Sequence, residues 1–290
     1  MPAPEGSDRE AARAKLPVVH EKLCATYQCP IAYFHNLDPL SELVYSLLSH
    51  RTKSAQSTVA FKALRARYRN WSVVRDAPTR DVQETIAAVT WPEQKAPRLQ
   101  QVLRQITALR GGELSLDFLG AMDVPAARAW LEQLSGVGPK TSAAVLAFSS
   151  LRKAALPVDS HHHRVAVRLG LIDPGTSLER AHEILESLLP KDWTPRQVYD
   201  HHEVMMLHGQ RCCYFHAPAC PRCAVLAECP VGQVRTKLPQ QERSPRAHGR
   251  DDREAEKSAE AAPRESRSRK RKEAAPPPAQ QGFLFPELEE

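Results

Sequence analysis

Leu134-Ser135-Gly136-Val137-Gly138-Pro139-Lys140-Thr141 lies between two helical patterns, AARAWLEQL before it and TSAAVLAF after it. Two glycines one residue apart permit a tight turn with exposed backbone amides and no Cβ to block a close approach. Pro139 suits the first position of the following helix, whose positive end then points the same way as the turn. Such a turn can hold a phosphate. Lys140 falls in the first turn of that helix, where the positive field favours a neutral, nucleophilic amine; pairing with phosphate is the ordinary use of a lysine there.

Outward from this hairpin the apolar spacing stays helical, as in Leu40, Leu43, Leu47 and Leu48, or Leu99, Val102, Leu103, Ile106 and Leu109. Strand-like alternation is scarce and no internal repeat is visible. Asp38-Pro39, Ser54, Thr79, Pro92, Val124-Pro125, Pro139, Asp159 and Thr194-Pro195 punctuate the pattern as helix starts. The expectation is an all-α protein of short-linked helices, with 290 residues sufficient for one large or two modest domains.

From about residue 235 charged, Pro, Ala and Ser residues alternate without apolar periodicity, and such a segment is expected to be disordered. It carries 13 basic and 11 acidic residues, so most of the net charge of +6 belongs to the folded part and favours a polyanionic partner. No stretch reaches the roughly 18 apolar residues of a membrane span. The start, MPAPEGSDRE, lacks the basic-then-apolar order of a secretory signal, so a soluble cytoplasmic protein with no membrane partner is expected.

Five of the seven cysteines fall between Cys212 and Cys229, a cluster and not a spread disulfide framework. Cys213, Cys220, Cys223 and Cys229 have six, two and five residues between them. Four thiolates in one compact loop can converge on a metal centre, zinc or iron-sulfur, although zinc ribbons usually join two short pairs across a longer gap. Cys212 breaks the spacing and reads as a small buried side chain.

The spacing C-x6-C-x2-C-x5-C resembles the [4Fe-4S] loop of endonuclease III and related adenine DNA glycosylases, and the hairpin resembles their helix-hairpin-helix, which grips DNA backbone without reading sequence. The resemblance runs over roughly residues 35 to 232. It implies a helix-hairpin-helix glycosylase fold of two helical domains flanking a DNA-binding cleft. The first would be a six-helix domain over 36–153, the second residues 1–35 plus 154–232 with the iron-sulfur loop, and 233–290 a disordered tail. It implies that Lys140 is the nucleophile and that Asp159, in Pro157-Val158-Asp159-Ser160-His161-His162-His163-Arg164, caps a helix and stabilises positive charge on a sugar. The three consecutive histidines cannot converge on one ion, being about 100° apart around a helix. His162 and His163 are expected to pack or hydrogen-bond, and Arg164 to brace the helix.

Gly136, Val137 and Gly138 would contact DNA phosphates through the hairpin. His50 and Arg51, in Leu47-Leu48-Ser49-His50-Arg51-Thr52, and Trp91, in Val89-Thr90-Trp91-Pro92, stand where the family fills the gap left by a flipped nucleotide. The family has glutamine at the position of Arg51 and leucine near that of Trp91, so lesion preference can differ; Trp91 also reads as a helix-junction core residue. Ser135 and Pro139 stand where the family often has Pro and Arg, which removes a phosphate-contacting charge. Near the end, Gln281-Gly282-Phe283-Leu284-Phe285 resembles the peptides with which bacterial repair proteins bind the sliding clamp through residues such as Gln281, Leu284 and Phe285. The expectation is therefore a monomeric, nucleoid-associated bacterial base-excision enzyme on double-stranded DNA with damaged or abasic sites. It would be a glycosylase with lyase activity toward oxidised pyrimidines. The rival readings are a monofunctional adenine or mismatch glycosylase of the same fold and a non-catalytic DNA-binding iron-sulfur protein.

Overall fold

In the computed structural model the described residues are 6–237, and among them every regular element is a helix. Gln281, Leu284 and Phe285 lie outside the described residues. The first helix, α1 (Gly6–Tyr27), buries Ala12, Leu16, Val19 and Leu23 along one stripe. Next come α2 (Pro39–Ser49), α3 (Ser54–Arg67), α4 (Trp71–Asp76), α5 (Thr79–Thr85), α6 (Pro92–Leu109), α7 (Val124–Leu131) and α8 (Pro139–Phe148). Residues 36–153 thus hold seven α-helices and a 3₁₀ turn over Asp117–Ala121, where six helices are expected from the sequence; Pro78 separates α4 from α5. The chain continues with α9 (Ser160–Leu169), α10 (Leu178–Leu188), α11 (Pro195–Arg211) and α12 (Pro230–Lys237). Because α12 runs to Lys237, residues 233–237 are helical and the expected tail boundary at 232 is corrected.

The helix starts follow the local chemistry. Asp38 accepts from the Ser41 amide at 2.9 Å with Pro39 behind it, and Asp123 accepts from the Ala126 amide at 2.7 Å. Thr194 and Gln197 form a reciprocal capping box. Each such cap is worth about 1 kcal/mol. Buried apolar side chains form two clusters. One runs from Leu40 to Ala155, with α2 and α8 covered on nearly every face. The other joins the α1 stripe to residues between Leu156 and Cys229. Each fully buried Leu or Val contributes about 1.5–3 kcal/mol. Helix α8 touches both α10 and α11, and Phe148 at its end packs against Tyr199 and His202, so this helix borders both clusters.

The cysteines divide differently from the sequence reading in one respect. Cys24 and Cys29 form a disulfide at the end of α1, whereas Cys212, Cys213, Cys220, Cys223 and Cys229 are free. No helix among the described residues is long and apolar enough to cross a membrane.

Candidate functional site

The hairpin turns at Gly136, whose φ of +80° is a conformation that side chains rarely adopt. Arg98 of α6 lies against it, so that a Cβ there would meet Arg98 Cδ at 3.0 Å. This arginine restores beside the turn the positive charge missing at Pro139. Sequence reasoning missed it because it comes from a distant helix; its only signal was an exposed Arg on the Leu99–Ile106 helix. The Val137 side chain is buried in the larger core and its amide donates to Leu134 O at 3.0 Å. Val137 therefore anchors the turn through its buried side chain and its amide.

Gly138 and Pro139 open α8, which places Lys140 in its first turn, exposed to solvent. Asp159 is the N-cap of α9, and its carboxylate accepts from the His162 amide at 2.7 Å. Both groups act on one buried imidazole. His202 of α11 feels the Asp159 charge, which favours its protonation, and the Lys140 charge, which opposes it; burial is the larger influence and lowers its pKa. His202 Nδ1 sits 2.7 Å from Pro157 O, which fixes the ring beneath the approach to α9. The next residue, Glu203, was not singled out by sequence reasoning. Burial first, then the negative charges of Asp159 and Asp200, raise its pKa to about 7, against the pull of Arg196.

His162 is fully covered, His163 Nε2 lies 2.8 Å from Thr176 O, and Arg164 donates to Gly209 O at 2.8 Å and Cys213 O at 3.1 Å. The run thus packs and braces, as its helical geometry requires. Gly209 allows α11 to approach α9 closely, since a Cβ there would lie 2.8 Å from His161 Cβ.

The loops carrying Arg51 and Trp91 are tied together by Lys95. Its Nζ donates to Leu48 O at 2.6 Å, His50 O at 2.8 Å and Thr52 Oγ1 at 2.6 Å, and Thr52 Oγ1 also accepts from the Thr90 amide. Burial lowers the Lys95 pKa to about 8. Arg51 and Trp91 both adopt positive φ, and the guanidinium lies 6.0 Å from the indole centroid. Trp91 is 44% exposed, which removes the core reading. His50 Nε2 is 3.0 Å from Thr141 Oγ1, so this side chain couples the Arg51 loop to α8. Burial first, then Lys140, Lys95 and Arg98, lower the His50 pKa to about 4.

The cysteine loop encloses a cavity lined by Cys213, Cys220, Cys223 and Cys229 together with Val165, Leu169 and Leu226. Burial pushes the Cys223 thiol up to about 12 and raises Cys229, with neighbouring sulfurs adding to both. Bare thiolates are therefore disfavoured there, and a cationic metal group is the partner that this donor set fits. Cys212 and His208 also border the cavity, and with Cys223 they bring ligand atoms within 4.8 Å of one another. These residues could hold a metal.

A family model described as the HhH-GPD superfamily of base excision DNA repair proteins matches residues 44–191. Endonuclease III of Thermotoga maritima is 32% identical over 201 residues, covering 69% of this chain and 86% of that protein. Endonuclease III of Bacillus subtilis is 28% identical over 201 residues, covering 69% and 84%. A solved structure of a trapped endonuclease III–DNA covalent intermediate matches with a TM-score of 0.65 at 22% identity, covering 78% of this chain and 99% of that one. Since the family match extends from α2 past α10, through the glycine turn, the amine behind it and the capping carboxylate alike, the chain belongs to the HhH-GPD superfamily and, within it, to the endonuclease III family of base excision repair DNA glycosylases.

Proposed function

We propose that this chain is a bifunctional DNA glycosylase and abasic-site lyase acting on damaged bases, oxidised pyrimidines first among them. The observation that carries the reading is the solvent-open Lys140 amine, which shares the His202 environment with the Asp159 carboxylate. The Gly136–Gly138 turn with Arg98 would hold the DNA backbone, and Arg51 and Trp91 would occupy the gap left by the flipped nucleotide. The lone pair of Lys140 Nζ attacks C1′, the C1′–base bond breaks, and the base leaves with that electron pair and takes a proton. Asp159, whose carboxylate accepts from the His162 amide, offsets the positive charge that develops on the sugar. The amine then loses a proton, and its lone pair expels O4′ as the C1′–O4′ bond breaks and O4′ takes a proton, giving a ring-opened C1′ iminium; loss of the 2′ proton from it breaks the 3′ C–O bond and releases the phosphate.

Cys213, Cys220, Cys223 and Cys229 would hold a [4Fe-4S] cluster, which when bound orders the loop and can exchange an electron. Borohydride trapping tests the nucleophile. A covalent adduct with abasic or oxidised-pyrimidine duplex that vanishes in Lys140→Gln is expected. Base release without strand cleavage or adduct would instead indicate a monofunctional glycosylase, and no product from any lesion would leave a DNA-binding protein.

A further inference from the structure

Three of the four sulfurs proposed as cluster ligands face nearby nitrogen atoms. Arg168 Nη1 lies 3.2 Å from Cys213 Sγ, the Gly232 amide 3.2 Å from Cys229 Sγ, and His208 Nε2 3.5 Å from Cys223 Sγ. The histidine differs from the other two because its ability to donate depends on which nitrogen carries the proton. Its ring is 2% exposed, and its other nitrogen, Nδ1, lies 3.1 Å from Tyr27 Oη at the end of α1. A cluster-bound cysteine has no S–H, so a hydrogen bond on that side must come from Nε2–H. Nδ1 is then a bare acceptor, and the Tyr27 hydroxyl must donate to it. The relay Tyr27 Oη–H to Nδ1, Nε2–H to Sγ is the one proton arrangement of the neutral ring that satisfies both contacts.

We infer that His208, with its tautomer set by Tyr27, donates a hydrogen bond to the Cys223 thiolate and raises the reduction potential of the bound cluster. It is a positioning residue outside the ligand set. An N–H···S bond withdraws electron density from the thiolate and stabilises the reduced, more negative cluster more than the oxidised one. The inference rests on the [4Fe-4S] reading above. Iron, acid-labile sulfide and the visible absorption of purified full-length protein test that reading separately; their absence overturns the cluster and this inference together, whereas the measurements on loaded protein overturn the inference alone.

On cluster-bearing protein, voltammetry should place the midpoint of His208→Leu clearly below wild type. Tyr27→Phe should move it the same way by less, and His208→Gln, which keeps an N–H donor, should recover most of the shift. Where His208→Leu fails to load, the wild-type protein carries the test. Pulsed EPR of its paramagnetic cluster after ¹⁵N-histidine labelling should show one weak, second-sphere imidazole coupling. An unchanged midpoint in loaded His208→Leu, no nitrogen coupling, or a coupling of the size of a direct ligand would each overturn the inference.

Discussion

Replacing Glu203 by Gln removes a carboxyl that the fold holds about half neutral near pH 7. Burial and the charges of Asp159 and Asp200 raise its pKa from the ordinary 4.5 to about 7. The folded value lies above the unfolded one, so the stability that the neutral carboxyl supplies is complete below about 4.5 and is lost as pH rises through 7. At about 1.4 kcal/mol per unit the ceiling on this penalty is about 3 kcal/mol, and the partial exposure of this half-buried residue brings it to about 1–2 kcal/mol. Urea unfolding of wild type and Glu203→Gln, followed by circular dichroism at pH 5.5 and pH 8.5, reads the difference directly. The variant should gain about 1–2 kcal/mol on wild type between the two pH values. A gap of the same size at both would refute the claim that this carboxyl ionises at a cost. The same charge should repel phosphate, so wild-type affinity for abasic duplex should weaken more between pH 6.5 and 8 than that of the variant.

Acid should loosen the second core. Both ring nitrogens of the buried His162 and His201 lack hydrogen-bond partners among the described residues, and burial holds both pKa values well below 6.5. Burial lowers those of His182 and His208 to about 4. Each folded value is depressed, so stability is complete above 6.5 and falls by up to about 1.4 kcal/mol per unit and per histidine as pH drops toward 4. The urea midpoint should decline steeply from pH 7 to 5; superimposable curves would contradict this. Lys95→Met should leave the carbonyls of Leu48 and His50 without their donor, lowering stability by about 2 kcal/mol and weakening binding to a lesion duplex in a mobility-shift assay. Gly209→Ala should lower the thermal midpoint by several degrees, because the new methyl would lie 2.8 Å from His161 Cβ. An unchanged melt would show that α9 and α11 can separate freely.

Much of the architecture was legible because its signals are local. Asp38-Pro39, Pro139, Asp159 and Thr194-Pro195 mark helix starts through chemistry within three residues, and each does so in the structure. The four cavity cysteines lie close enough in sequence for their spacing to carry their meaning. What was not legible depends on chain segments far apart. Arg98 reaches the hairpin from α6, Lys95 ties two loops, and Tyr27 meets His208 across most of the chain. Glu203 gave no signal because its altered proton affinity comes first from burial and then from the charges of Asp159, on another helix, and Asp200. The Cys24–Cys29 bridge was obscured by the denser cysteine group downstream.

The α1 stripe has consequences for synthesis. Ala12, Leu16, Val19 and Leu23 leave the ribosome early, yet the residues that cover them lie between Leu156 and Cys229. The core from Leu40 to Ala155 is contiguous and can close while translation continues. The first helix must wait as an uncovered amphipathic segment until the last third of the folded region emerges. Nascent chains stalled before α11 should therefore present α1 to chaperones, and moving its sequence to follow α12 would shorten that interval.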